Sequence, residues 1–330
     1  MTAQGTSRGS ITRREFLGTM AALAAVSMAP GRLFAQAGKP HSTLGGVPIG
    51  VITYSFRSME NQSAEDLLNY LTECGLSSVE LMGEPAEQYA GAPTFERIRF
   101  PRGQELTEEQ RAELAAKRQA QAEEMRKWRT SVSMDKYRAL RKMYNDAGVD
   151  IYIVKFSSIG PEMSTPEIEY CCNAAKVLGA RGITTEISEE KAKFLAPYAA
   201  RHQIMIGFHN HTQVNPQSWE GHFSHGMYLG MNFDIGHYVA GTNRSPLPII
   251  DRYAPDGRIL SLHLKDRKIN DGANLPWGTG DTPLALVLQH MKRNQYDFQA
   301  AIELEYPIPE GSNAVEEVKK CVAFCREALA

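Results

Sequence analysis

Apolar residues along this chain follow two rhythms. Near-continuous short runs occur at 49–56 (IGVITYSF), 78–82 (SVELM), 151–157 (IYIVKFS), 182–187 (GITTEI), 204–211 (IMIGFHNH), 229–236 (LGMNFDIG), 259–266 (ILSLHLKD) and 300–306 (AAIELEY). Between them apolar residues recur three and four apart, the spacing of an amphipathic helix. AEDLLNYLTECG ends on Gly75, a residue that stops helices, and TPEIEYCCNAAKVLGA opens with Thr165 as the expected N-cap and Pro166 in the first turn. NAVEEVKKCVAFCREALA supplies a last helix. Strands alternating with helices imply a parallel sheet, because a parallel crossover needs a long connection. Eight such units in about 250 residues predict an α/β fold of the closed (β/α)8 TIM barrel type. An open doubly wound sheet is the competing fold, but no GxGxxG follows the first run.

Two stretches lie outside this alternation. The N-terminal segment carries TRREFLG, with Arg13 and Arg14 followed by Phe16 and Leu17, then an Ala-rich run and the small-x-small Ala35-Gln36-Ala37. It resembles a twin-arginine export signal. The expectation is cleavage after residue 37, leaving 38–330 as the barrel in the periplasm. The apolar run 18–29 is short of the roughly 20 residues a membrane span needs, so no stable span is expected after cleavage. The second stretch, about 84–134, contains EQRAELAAKRQAQAEEMRKWR and reads as a solvated helical insertion. The alternative is a lid, or a subunit contact of a homo-oligomer, using Trp128.

Charge and cysteine content narrow the function. A formal net charge of −2 without a basic stripe argues against a nucleic-acid partner. The five cysteines form no CxxC pair and lie in helical patterns, so buried thiols are expected rather than disulfides or a zinc knot.

Barrel active sites gather at the C-terminal ends of the strands. The ends of the apolar runs carry Glu80, Lys155, Glu186, His209, His211, Asp234 with His237 beyond it, His263, Lys265, Asp266, Glu303 and Glu305. Residues two apart share a side of a sheet, so His209 and His211, His263 and Lys265, and Glu303 and Glu305 are expected to point the same way. Any one of these alone would pass as a satisfied polar residue. Several carboxylates buried together need a cation, and Asp, Glu and His form a hard-to-borderline donor set suited to Mn, Zn, Co or Mg. Trp277 in LPWGTGD offers an aromatic face for a ligand or packs its own turn.

NFDIGHYVAG, ILSLHLKD, FHNH and IELEY resemble motifs of the sugar phosphate isomerase/epimerase family, with its xylose isomerase-like barrel. Relatives there include ketose 3-epimerases, inosose dehydratase, hydroxypyruvate isomerase and endonuclease IV. The resemblance implies a divalent metal and assigns Asp234, His263 and Glu303 as ligands, with Glu305 supporting the ligands or facing substrate and His237 contacting substrate or metal. The epimerases place a Glu where this chain has His209. Either His209 replaces that Glu as ligand, or Glu186, one strand earlier, supplies the carboxylate; Glu186 is favoured as the fourth ligand, leaving His209, His211, His237 and Lys265 as catalytic candidates. Glu80, Lys155, Trp277 and Glu305 are taken to bind substrate. The implied reaction is isomerisation or epimerisation of a small-molecule sugar or keto-sugar through an enediolate. Elimination by a dehydratase or 3-keto-glycoside lyase, and metal or sugar binding without turnover, are the alternatives.

Overall fold

The computed structural model describes residues 38–95 and 106–330. The segment 1–37, expected above to be an export signal, lies outside these residues. A two-residue strand, β1 (Thr43–Leu44), turns back antiparallel onto β2 (Val47–Ile52). Gly45 and Gly46 make the turn, both at positive φ, as this tight hairpin requires. From β2 onward every pairing is parallel. The remaining strands are β3 (Ser78–Met82), β4 (Asp150–Lys155), β5 (Gly182–Glu186), β6 (Met205–His209), β7 (Leu229–Asp234), β8 (Ile259–Leu264) and β9 (Gln299–Ile302). Each pairs with the next, and β9 pairs with β2 through Ile49↔Ala300 and Val51↔Ile302, closing the ring. The expected eight-stranded barrel is the observed fold.

Most strands stop earlier than the apolar runs suggested. Residues Thr53–Phe56 wind into a 3-10 turn instead of extending β2. β7 ends at Asp234 because its side chain caps the next helix: Asp234 Oδ1 accepts the His237 N–H at 2.7 Å. His211, His237, Lys265, Glu303 and Glu305 consequently sit just past strand ends, on the rim of the mouth.

The outer layer is helical. In α1 (Ala64–Glu73), Ser63 caps the start by accepting from Asp66 N–H, and Leu67, Leu68 and Leu71 form the buried stripe. Between β3 and β4 lie α2 (Gly83–Tyr89), α3 (Glu108–Arg129) and α4 (Met134–Asp146). α3 is 22 residues long and buries none of them. Among the described residues, its C-terminal end is held by Glu87, Glu167 and Tyr170. Arg129 donates to Glu87 at 2.9 Å, Arg126 donates to Glu167 at 3.3 Å, and Trp128 meets the Tyr170 ring edge-on at 5.8 Å. Tyr170 and Glu167 belong to α5 (Thr165–Leu178), where Ser164 takes the cap position and the expected cap, Thr165, is the first helical residue. The later helices are α6 (Glu189–His202), α7 (Ser218–Ser224), α8 (Ile235–Thr242), α9 (Leu247–Tyr253), α10 (Leu284–Asn294) and α11 (Ala314–Leu329). All five cysteines are free and buried. Among the described residues no helix is long and apolar enough to cross a membrane.

Candidate active site

Four buried side chains converge where β6, β7, β8 and β9 end. His209, Asp234, His263 and Glu303 each offer one ligand atom, and these atoms all lie within 4.8 Å of one another. The local chain explains the convergence. Asn210 locks the end of β6 to the end of β7: its Oδ1 accepts from Asp234 N–H at 3.0 Å and its Nδ2 donates to Asp234 O at 3.0 Å. His209 and Asp234 are thereby held side by side. On β8, His263 is gripped from both sides, Nδ1 at 2.8 Å from Glu303 Oε2 and Nε2 at 2.8 Å from Glu80 Oε2.

Lys265 completes this cluster. Its Nζ lies 2.9 Å from Asp234 Oδ2, 3.1 Å from Glu303 Oε2 and 2.7 Å from Glu305 Oε2. As expected from the two-residue period, His263 and Lys265 share a side, and so do Glu303 and Glu305. The charges tune one another. Burial alone would raise Glu303, but the Lys265 and His263 charges hold its carboxyl well below the usual range. Asp234 is pushed up by burial, and the neighbouring Glu303 charge adds to the rise. Burial would lower His263, but Glu303 and Glu80 reverse that and bring it to about 10.

A second group sits beside the first and is more open. Glu186, the last residue of β5 and the register partner of His209, accepts from Lys155 Nζ at 2.9 Å and lies 3.0 Å from His211 Nε2. Its side chain is 42 % exposed, against 0 % for Asp234. The Glu186 hydrogen bond raises His211, whereas burial followed by the Lys155 charge keeps His209 well below its usual value. His237 is flanked by Arg267 Nη1 at 2.7 Å and Lys265 Nζ at 2.9 Å, and burial with the Lys265 charge pushes it down to about 3. Arginine can only donate, so His237 Nδ1 is an acceptor and is engaged. A cavity of about 210 Å³ opens onto both groups, lined by Lys155, Glu186, His209, His211, Glu303 and Glu305 among others.

Two expected substrate-facing residues are placed elsewhere. Glu80 is fully buried beneath the mouth, accepting from Thr184 Oγ1 at 2.6 Å and Asn232 Nδ2 at 2.8 Å. Trp277 packs edge-on against Phe324 of α11 at 5.7 Å. The fourth member of the buried quartet is His209, while Glu186 groups with His209 and His211. Asn210, Arg267, Thr184 and Asn232 were not anticipated. Asn232 inside the apolar run LGMNFDIG is the kind of signal that could have found one of them.

Residues 68–328 match the model of the family described as xylose isomerase-like TIM barrel. The chain belongs to this family. No curated protein matches it. Several solved structures share the fold at low identity. The probable 3-DHS dehydratase AsbF, involved in petrobactin synthesis in Bacillus anthracis, has a TM-score of 0.58 at 14% identity, covering 84% of this chain and 98% of that one. D-psicose 3-epimerase has a TM-score of 0.56 at 12% identity, covering 86% and 99%. A sugar phosphate isomerase/epimerase from Parabacteroides distasonis has a TM-score of 0.54 at 16% identity, covering 90% and 97%.

The buried quartet of this xylose isomerase-like barrel fits a divalent metal. Two carboxylates and two imidazoles are the right donors for a hard-to-borderline cation. Among the described residues His209 Nδ1 is buried with no hydrogen-bond partner. A buried polar atom left in this state is an exception that calls for a further partner.

Proposed function

We propose that this chain is a divalent-metal-dependent enzyme of the isomerase/epimerase type, acting on a small sugar or keto-sugar through an enediolate. The observation that carries the reading is the buried quartet His209, Asp234, His263 and Glu303, of which His209 and Glu303 line the cavity at the barrel mouth. A bound Mn, Zn, Co or Mg ion would polarise a substrate carbonyl as a Lewis acid and so acidify the neighbouring C–H.

The chain's own groups would handle the proton. His211 reaches the cavity, is oriented by Glu186 and is the histidine left free of the buried set, which makes it the favoured base. Lys155 holds the Glu186 carboxylate and with it the His211 ring. Lys265 supplies a fixed positive charge against negative charge developing on substrate oxygens. β5 and β9 are four strands apart in a ring of eight, so Glu186 and Glu305 rise from opposite sides of the mouth. Proton removal on one face and return on the other, the requirement of epimerisation, is compatible with that placement.

Elimination is the second reading. His209 stands where the epimerase motif has a carboxylate, which leaves one fewer acid–base carboxylate beside the substrate and suits dehydratase or lyase chemistry. We further infer export to the periplasm from the segment 1–37, which favours free or glycosidic sugars over phosphorylated ones. The test is elemental analysis of the purified protein, then solvent-deuterium incorporation into a panel of ketoses and 3-keto-glycosides. Bound metal with exchange at the carbon beside the carbonyl is the expected result. Metal without exchange on any substrate would make the protein a binder rather than an enzyme.

A further inference from the structure

Glu80 touches neither the cavity nor any of the quartet except one ring. Its carboxylate is sealed inside the barrel at 0 % exposure, between Thr184 of β5, Asn232 of β7 and His263 of β8. Both oxygens are already occupied by donors. Thr184 Oγ1 donates to Oε1, and Asn232 Nδ2 donates to Oε2. An acceptor-only carboxylate can bond His263 Nε2 at 2.8 Å only if that nitrogen carries its hydrogen. The other ring nitrogen, Nδ1, faces Glu303 at 2.8 Å within the quartet.

We propose that Glu80 is the positioning residue of the metal centre: it pins the Nε2–H of His263, so that Nδ1 is the nitrogen presented to the metal. This rests on the metal reading given above. Nδ1 faces Glu303, itself a member of the quartet, whereas Nε2 faces Glu80, which lies outside it, so the ring edge turned toward the quartet is the Nδ1 edge. With a metal held by the quartet, Glu80 and His263 would form a carboxylate–imidazole–metal relay, in which the outer carboxylate fixes the tautomer and ring plane and makes the imidazole a stronger donor. Thr184 and Asn232 in turn fix Glu80, extending the support across three strands.

The test is Co(II) binding to the full-length wild type, to Glu80→Gln and to Thr184→Val, by competition with a chromophoric chelator and by the visible spectrum of the bound Co(II). Glu80→Gln can keep the neutral hydrogen bonds but removes the charge behind the ring. Outer-carboxylate changes of this kind cost roughly 10- to 100-fold in metal affinity. The expected result is a loss in that range with an altered Co(II) spectrum, on protein whose circular dichroism matches wild type. Thr184→Val should lose several-fold, and it carries the test if Glu80→Gln does not fold. A purely structural role for Glu80 would lower thermal stability and leave affinity and spectrum untouched. Wild-type binding with an unaltered affinity in the folded variant overturns the inference alone. Wild type that takes up no Co(II) overturns the metal reading and this inference with it.

Discussion

The two walls of the barrel mouth use the same residue types to opposite ends. On the β7–β9 side, Asp234, His263 and Glu303 are buried and locked to one another and to Lys265. On the β4–β6 side, Lys155, Glu186 and His211 form a similar chain of alternating charge, but Glu186 and His211 are half open to solvent. Depth decides the difference. Buried carboxylates need a permanent cation, whereas an exposed His–Glu pair can gain and lose a proton without desolvating a charge. The first wall is suited to holding, the second to turning over.

The strongest way to break this comparison is to exchange the roles of His209 and Glu186. His209→Ala should lose metal by more than roughly 100-fold in affinity, beyond the range for outer residues, whereas Glu186→Gln should keep it. Elemental analysis after dialysis decides, and the reverse outcome would move the fourth ligand to the open wall. Next in size, His211→Asn should keep metal and lose about 10²- to 10⁴-fold in proton-exchange rate, the range for a general base. Full activity in that variant would return the role to another group.

A pH profile sharpens the contrast. The Glu186 hydrogen bond raises His211 above its ordinary value, burial opposing. A base works when deprotonated, so the rate should rise with pH through that raised value and fail on its acid side. Glu186→Gln removes the cause, and the acid limb should move to lower pH with a turnover loss of about tenfold, smaller than that of the base itself.

Away from the mouth the same rule governs stability. Arg129→Ala leaves Glu87 buried without its cation and should cost about 3 kcal/mol, read as a lower unfolding midpoint with metal affinity unchanged. Smallest of all, Ala116→Gly in exposed α3 should cost about 1 kcal/mol locally. Hydrogen exchange across α3 should quicken while the barrel amides stay as they were.

What could be read from the chain follows from the same physics. The eight strands were legible because each is a compact apolar run, and the helices because their buried faces recur at helical spacing. Strand ends were not, because Asp234 stops β7 by capping a helix and Thr53 starts a tight turn, both local bonds that hydrophobicity does not register. The strand-end chemistry was visible as a cluster. Its depth was not: Glu186 and His209 are register neighbours, and only ring geometry makes one half open and the other buried. Glu80 was visible as an acid at a strand end, but its direction depends on Thr184 and Asn232, partners about a hundred or more residues away.

The Ile49↔Ala300 pairing has a consequence for biosynthesis. Glu303 follows directly on the strand that makes it, so a nascent chain holds His209, Asp234 and His263 well before it can present the last carboxylate. Ring closure between distant segments is a slow kind of event. A metal ion arriving during synthesis would meet an unfinished site, and uptake should track the final docking step rather than the emergence of the ligands.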